Sequence, residues 1–327
     1  EWGGAMDLLR YASIAWLVKR GRYSAQELRW ALGALAVSAL IGLAVGYFRM
    51  WTGIGKSGRL QLYSVGHVNH TAIYLAMVLG LWAAWVFAAY RSWTPRMRVA
   101  GTAFLAILLA SLAVTSSRGA VGAGILALFL LAFSIFRRWS APLKITVIST
   151  VVLIGSAVLV DSDLVRKQER REAEGNPLSH RDSIWRMGIA AWKEQPWFGV
   201  GMDNYGQITH ERMQAWRARD GKSYDPKGLM PFVHAHSLYV NTLAERGIVG
   251  FAALAAVLFA WGAALVRYRP APSAPDGDWI LWGASASGLI VTLGAGLFNT
   301  SLHHEHGILA ALLLGLWLGR PERHLQG

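Results

Sequence analysis

Seven stretches of the chain are almost uninterrupted runs of apolar residues: 31–48, 71–90, 99–114, 119–136, 145–160, 248–266 and 279–298. Each approaches the roughly 20 apolar residues that a bilayer-spanning helix needs. Two further segments, 307–318 and the amphiphilic 5–18, are expected to span or nearly span the membrane as well. The pattern changes between 161 and 236, which holds 23 of the 51 formally charged residues, 12 basic and 11 acidic, with Trp185, Trp192, Trp197 and Trp216 interspersed. That stretch is too long for a simple connector and is expected to fold as a small subdomain on the membrane surface. Within it, 183–194 places Ile184, Trp185, Gly188, Ile189 and Trp192 on one helical face. Pro196 and the run Gly199-Val200-Gly201 then end that helix. The expected fold class is all-α, a polytopic transmembrane helical bundle with a large external loop subdomain containing amphipathic helices. Its parts are 1–160, transmembrane helices; 161–236, the loop subdomain; and 237–327, a loop-exit helix and the closing transmembrane helices. Glu1 falls on the external side with no signal peptide or span before it, so further amino-terminal spans are expected ahead of it.

Composition supports this reading. The chain is 54% hydrophobic and only 16% charged, whereas soluble domains carry about a quarter charged residues. A net charge of +13 could indicate an anionic polymer as partner. Sorting the charge by connection removes that reading. The connections 19–29, 91–98, 137–144, 267–278 and the tail from 320 hold 14 of the 32 Lys and Arg but four of the 19 acids, leaving +10 of the +13 on one side. That is the cytoplasmic bias of short loops in membrane proteins. No nucleic-acid partner is expected; membrane lipids are. The chain has no cysteine, so disulfide staples are excluded.

The opposite, external side collects the chemistry. Nine of the ten histidines fall there, at 67, 70, 180, 210, 234, 236, 303, 304 and 306. So do Arg49, Arg59, Arg118, Arg181 and Arg246, at span ends where the sidedness rule would not favour them. Ionisable groups clustered at a membrane face suggest function, although each alone could simply reach the headgroup region. His236 sits just before an amphipathic segment that runs from 238 into the next span. Near a helix amino terminus imidazolium is disfavoured, so His236 should be neutral and able to accept a proton. A capping role is the other reading of the same residue.

Here the residues carry a resemblance. His236-Ser237, nine residues, then Gly247-x-x-Gly250 is similar to the signature of bacterial O-antigen ligases, within the superfamily that includes O-antigen polymerases and protein O-oligosaccharyltransferases. Thr115-Ser116-Ser117-Arg118-Gly119, and Arg181-x-x-x-Trp185 followed by Pro196-x-x-Gly199-x-Gly201, resemble it too, in the same order, from about residue 60 onward. The resemblance implies an integral membrane glycosyltransferase of the bacterial inner membrane whose site and large loop face the periplasm. It would move undecaprenyl diphosphate-linked O-antigen onto a sugar hydroxyl of lipid A-core in lipopolysaccharide synthesis. By that resemblance His236 is the catalytic base, and Arg118 and Arg181 bind the donor diphosphate, a role suited to the guanidinium fork. Direct attack would invert the anomeric centre, and no carboxylate pair suggests a double displacement. No metal or other cofactor is expected.

Arg59 is a further candidate without a matching motif, and His303, His304 and His306 either complete the site or form an interfacial cap. His67 and His70 read as caps before a span, and Asn204 and Tyr205 as loop packing. The alternative functions are an O-antigen polymerase or protein O-oligosaccharyltransferase. A zinc hydrolase is suggested by His234-x-His236 and His303-His304-x-His306, but neither has the His-Glu-x-x-His spacing. A lipid transporter would be expected to show repeats and midplane polar residues.

Overall fold

The computed structural model describes residues 2–21, 23–54, 59–135, 178 and 180–320. The longer elements among them are helices: α1 (Trp2–Arg20), α2 (Ala25–Trp51), α3 (Val68–Ala89), α4 (Pro95–Val114), α5 (Arg118–Ile135), α6 (Arg181–Glu194), α7 (His210–Arg219), α8 (Leu238–Arg267), α9 (Asp276–Gly296) and α10 (His304–Leu318). Among the described residues α2, α3, α4, α5, α8 and α9 are long and apolar enough to cross a membrane. The fold is an all-helical polytopic bundle. The expected span at 145–160 and the start of the 161–236 loop lie outside the described residues.

Both segments at the ends of the chain form helices. The amphiphilic segment 5–18 does form a helix, α1, but α1 is not among the six apolar enough to span. It packs along α10, where a Cβ at Gly307 would approach the Tyr11 ring to 2.8 Å and one at Gly315 the Ala15 carbonyl to 2.8 Å. The run 307–318 belongs to α10, which has 15 residues and is shorter than a full span.

The bundle is organised around α3 and α9, whose spans are the most deeply buried. α9 packs on both α3 and α5. Lipid offers no hydrophobic drive for helices to associate, so close contact between backbones supplies it. Gly80 of α3 faces Ser287, Gly283 of α9 faces Ala84, and a Cβ at Gly294 would meet Ala123 of α5 at 3.0 Å. The Trp261 indole of α8 donates to Ser285 Oγ of α9 at 2.9 Å, so a buried polar pair ties these helices together.

A second, smaller core sits at the end of the bundle where α3, α5, α8 and α10 begin. Ile184, Met187 and Ala191 of α6 pack there with Tyr205, Ile208, Met213 and Ala244. The buried stripe of α6 is therefore Ile184, Met187, Gly188 and Ala191, rotated from the face expected in the sequence. Tyr205 is the reason. Its ring fills the space over Gly188, its hydroxyl donates to the Ile184 carbonyl at 2.8 Å, and Trp185 and Trp192 are left at the edge of the stripe.

The sequence predicts an amphipathic helix running smoothly from 238 into the following span. Instead α8 is broken at Gly247, with φ 60° and ψ −164°. A helix break orphans carbonyls before it and amides after it. The segment after α6 supplies both sets of partners. Val200 and Gly201 donate their amides to the Ala244 and Glu245 carbonyls at 2.9 Å each. Ile248 and Val249 donate to the Pro196 and Trp197 carbonyls at 2.8 and 3.2 Å. This fit requires the glycines. A Cβ on Gly199 (φ +67°) would strike the 245–246 peptide, one on Gly247 the Trp197 carbonyl, and one on Gly250 the Arg246 side chain. The two glycine-bearing motifs are thus halves of one joint that docks the loop onto α8.

Candidate active site

The joint fixes the first half of α8, and with it the residues just before Leu238. Ser237 caps the helix, its side chain accepting the Val240 amide at 3.4 Å. The preceding turn is held from three sides. The Leu238 amide donates to the Asn299 carbonyl at 3.0 Å, the Trp185 indole to the Ala235 carbonyl at 2.9 Å, and the Ala235 amide to Asn241 Oδ1 at 3.0 Å. Held this way, His236 adopts φ 50°, in the left-handed region. A non-glycine residue persists there only where its surroundings over-determine it. The surroundings here are those three hydrogen bonds.

His236 lines a cavity of about 340 Å³. Arg118 and Arg181 line the same cavity, as does Arg59. Arg118 opens α5 immediately after a tight turn in which Ser116 has φ 55°, the Ser116 amide donates to the Ala113 carbonyl at 2.9 Å and Thr115 Oγ1 donates to Leu112 at 2.6 Å. Gly119, the next residue, leaves room for Phe298 of the opposite wall, to which a Cβ would come within 3.1 Å. Arg181 opens α6 in the same way, following His180 at φ 62°. The starts of α3, α5, α6 and α8 all reach this cavity, bringing four helix amino termini with their partial positive charge. Among the described residues its lining also includes three arginines and three histidines, His67, His180 and His236, and no carboxylate. Such a site is built for an anion.

Charge also governs His236 itself. Its imidazole is pulled down to about 4, first by burial, then by His234, Arg181 and His67, while a hydrogen bond with the Asn299 side chain partly offsets the shift. It is neutral at pH 7, as the sequence suggests, and burial is the largest cause. His234 is lowered as well, by burial and then by His67.

The remaining sequence candidates are placed differently. His67 caps α3, its Nδ1 accepting the Asn69 amide at 3.3 Å, and also lines the cavity. His303 and His306 are not among the lining residues; their rings lie 5.9 and 5.1 Å from His70, whose own ring is 6.3 Å from that of the cavity-lining His67. His306 is fully buried, with Nδ1 2.8 Å from the Ser301 carbonyl oxygen. Among the described residues no group of three His, Asp or Glu is arranged to hold a metal ion. Asn204 and Tyr205 pack the loop: the Asn204 amide donates to the Val200 carbonyl at 3.2 Å, and the Tyr205 backbone amide to Glu245 Oε1 at 3.1 Å.

Sequence reasoning passes over Asn299, Phe298 and Phe232 in the cavity wall and Glu245 beneath the joint. Asn299 shows only an asparagine at the end of an apolar run, a pattern shared with ordinary caps. Glu245 shows more, since a carboxylate at the mouth of a span is costly unless it is hydrogen-bonded.

The model of the O-antigen ligase family matches residues 103–255. That match covers a little under half of the chain. The matched stretch contains Arg118, Arg181, His236 and both halves of the glycine joint, whereas Arg59 and the 303–306 histidines lie outside it. An uncharacterized protein of Haemophilus influenzae is 29% identical over 97 residues, an alignment covering 30% of this chain and 22% of that protein. The chain thus spans only a minor part of that relative's length.

Proposed function

We propose, from the family match over 103–255 and the cavity, that this protein is an O-antigen ligase of the bacterial inner membrane, with the cavity facing the periplasm. It takes O-antigen polysaccharide from undecaprenyl diphosphate and joins it to a sugar hydroxyl of lipid A-core. The described part of the loop subdomain, from 180 onward, and the exit helix α8 frame the site between the transmembrane helices on either side.

The observation that carries this reading is the convergence of Arg118, Arg181 and His236 on one cavity, with no carboxylate among the described residues of its wall. The donor breaks at the bond between its anomeric carbon and the diphosphate, and negative charge grows on the departing diphosphate. Arg118 and Arg181, each at a helix start, meet that charge with bidentate donors and aligned amides; Arg59 is placed to add a third guanidinium. The acceptor hydroxyl must lose its proton as it attacks the same carbon. His236 is neutral, faces the cavity and can take that proton. Attack from the face opposite the leaving diphosphate inverts the anomeric centre. Charge stabilisation by guanidinium groups requires no metal ion.

The test supplies purified protein with labelled lipid-linked polysaccharide and lipid A-core. Label on the lipid A-core is the expected result. Growth of the lipid-linked chain without it would instead indicate polymerase activity, and label on a protein acceptor would indicate the protein transferase.

A further inference from the structure

Beside His236 stands a second imidazole to which the reaction above gives no role. His234 Nε2 lies 3.1 Å from His236 Nδ1, and the ring centroids are 4.2 Å apart. Phe232 packs against both rings, at 5.9 and 5.1 Å. One proton sits in the contact between the rings, and its owner decides what His236 can do. If His234 donates, His236 carries its own proton on Nε2 and has no lone pair left for the cavity. If His236 donates from Nδ1, its Nε2 lone pair is open to the acceptor hydroxyl.

We propose that His234 is the positioning residue of His236: it accepts the Nδ1 proton, keeps the Nε2 lone pair on the cavity, and takes over that proton as His236 receives one. The inference rests on His236 being the base. In the step, the acceptor's O–H proton passes to His236 Nε2 and the freed oxygen pair forms the bond to the anomeric carbon. The bond from that carbon to the diphosphate breaks, its electrons leave on the diphosphate, and the Nδ1 proton moves to His234 Nε2. The positive charge therefore ends on His234.

Two features of the surroundings favour that end point. Among the described residues, the charged and titratable groups that act on the pair are His67 at the start of α3 and Arg181 at the start of α6, with the hydrogen-bonding Asn299 beyond α9. None is a carboxylate, so the part played by aspartate in a Ser-His-Asp triad has no anionic candidate among them. Arg181 acts on His236 but is not among the charges that shift His234. Moving the proton one ring further relieves repulsion between two cations. Burial also keeps both rings neutral at rest, as a one-proton contact requires.

Nitrogen-15 NMR of histidine-labelled, intact protein in lipid nanodiscs reads the tautomer directly. Protonated Nδ1 and bare Nε2 on His236 are expected; the opposite tautomer overturns the proposal. In kinetics, His234→Ala should lower kcat about 100-fold with little change in KM for either lipid. His234→Gln, whose amide oxygen can still accept the Nδ1 proton but cannot carry it away, should recover about tenfold of that loss. The acid limb of the kcat profile should move to lower pH in His234→Ala, because the neighbour that accepts the Nδ1 proton and shares the incoming charge is gone. Equal losses in both variants with an unmoved acid limb would indicate a structural role and overturn the proposal. A wild-type protein that transfers nothing would count against the ligase reading, and the tautomer measurement would still decide the pair.

Discussion

Replacing Gly247 with alanine tests whether the broken helix builds the site. Gly247 holds φ 60° and ψ −164°, a region essentially reserved for glycine. Forcing alanine into it costs about 1–3 kcal/mol of backbone strain. The new methyl group also runs into the Trp197 carbonyl; comparable overpacking costs about 1–3 kcal/mol. Together these give about 2–6 kcal/mol. The joint can relieve this only by parting the loop from α8, which releases the amides of Val200, Gly201, Ile248 and Val249. Hydrogen exchange by mass spectrometry in nanodiscs should therefore show those amides exchanging faster than in wild type, while α3 and α9 stay protected. The thermal midpoint and transfer rate should fall together, because the same joint fixes the residues that hold His236. Gly122→Ala is the control: its Cβ would meet nothing within 4 Å, and alanine there should be neutral or stabilise by up to about 1 kcal/mol. Wild-type exchange and midpoint in Gly247→Ala would refute the reasoning.

Three further outcomes follow from the cavity. Arg118→Ala and Arg181→Ala should each weaken donor use by about 1.5–3 kcal/mol, the range for a hydrogen bond to a charged group, read as kcat/KM for the lipid-linked donor; unchanged values in either would remove that arginine from the site. His236 is held at about 4 against an ordinary 6.5. Unfolded protein therefore takes up a proton below about 6.5 that folded protein refuses until about 4, so stability should decline as pH falls through that window, and less so in His236→Gln. Equal pH dependence of unfolding in the two proteins would contradict the buried neutral state. Trp185→Phe removes the indole's hydrogen bond to the Ala235 carbonyl and should cost about 1 kcal/mol of stability with a larger loss in kcat than in donor KM; a loss confined to KM would mean that Trp185 contacts the donor instead.

The six spans among the described residues were legible because each is a continuous apolar run, and the sidedness of Lys and Arg placed the histidines and several arginines at one end. Arg118, Arg181 and His236 could be singled out because their short motifs follow one another on that end. The break in α8 was not legible, since apolar residues continue past Gly247 and the partners of its orphaned groups come from 196–201, far back in the chain. The buried face of α6 was misjudged for a related reason: periodicity weighs Trp185 and Trp192 by their size, whereas Tyr205 selects the small side of the helix at Gly188. In the sequence His303 and His306 read equally well as completing the site or as an interfacial cap. Only the packing of α10 beside α3 places them around His70. The contact between His234 and His236 depends on a left-handed residue that a local pattern does not announce.

The central claim is that His236 acts as the base for transfer across this cavity. Its most direct test measures single-turnover transfer and donor binding side by side in wild type and His236→Ala, after hydrogen exchange has shown the variant folded. The account predicts that the variant binds the lipid-linked donor with wild-type affinity and transfers none of its polysaccharide. Transfer at the wild-type rate by His236→Ala would contradict it.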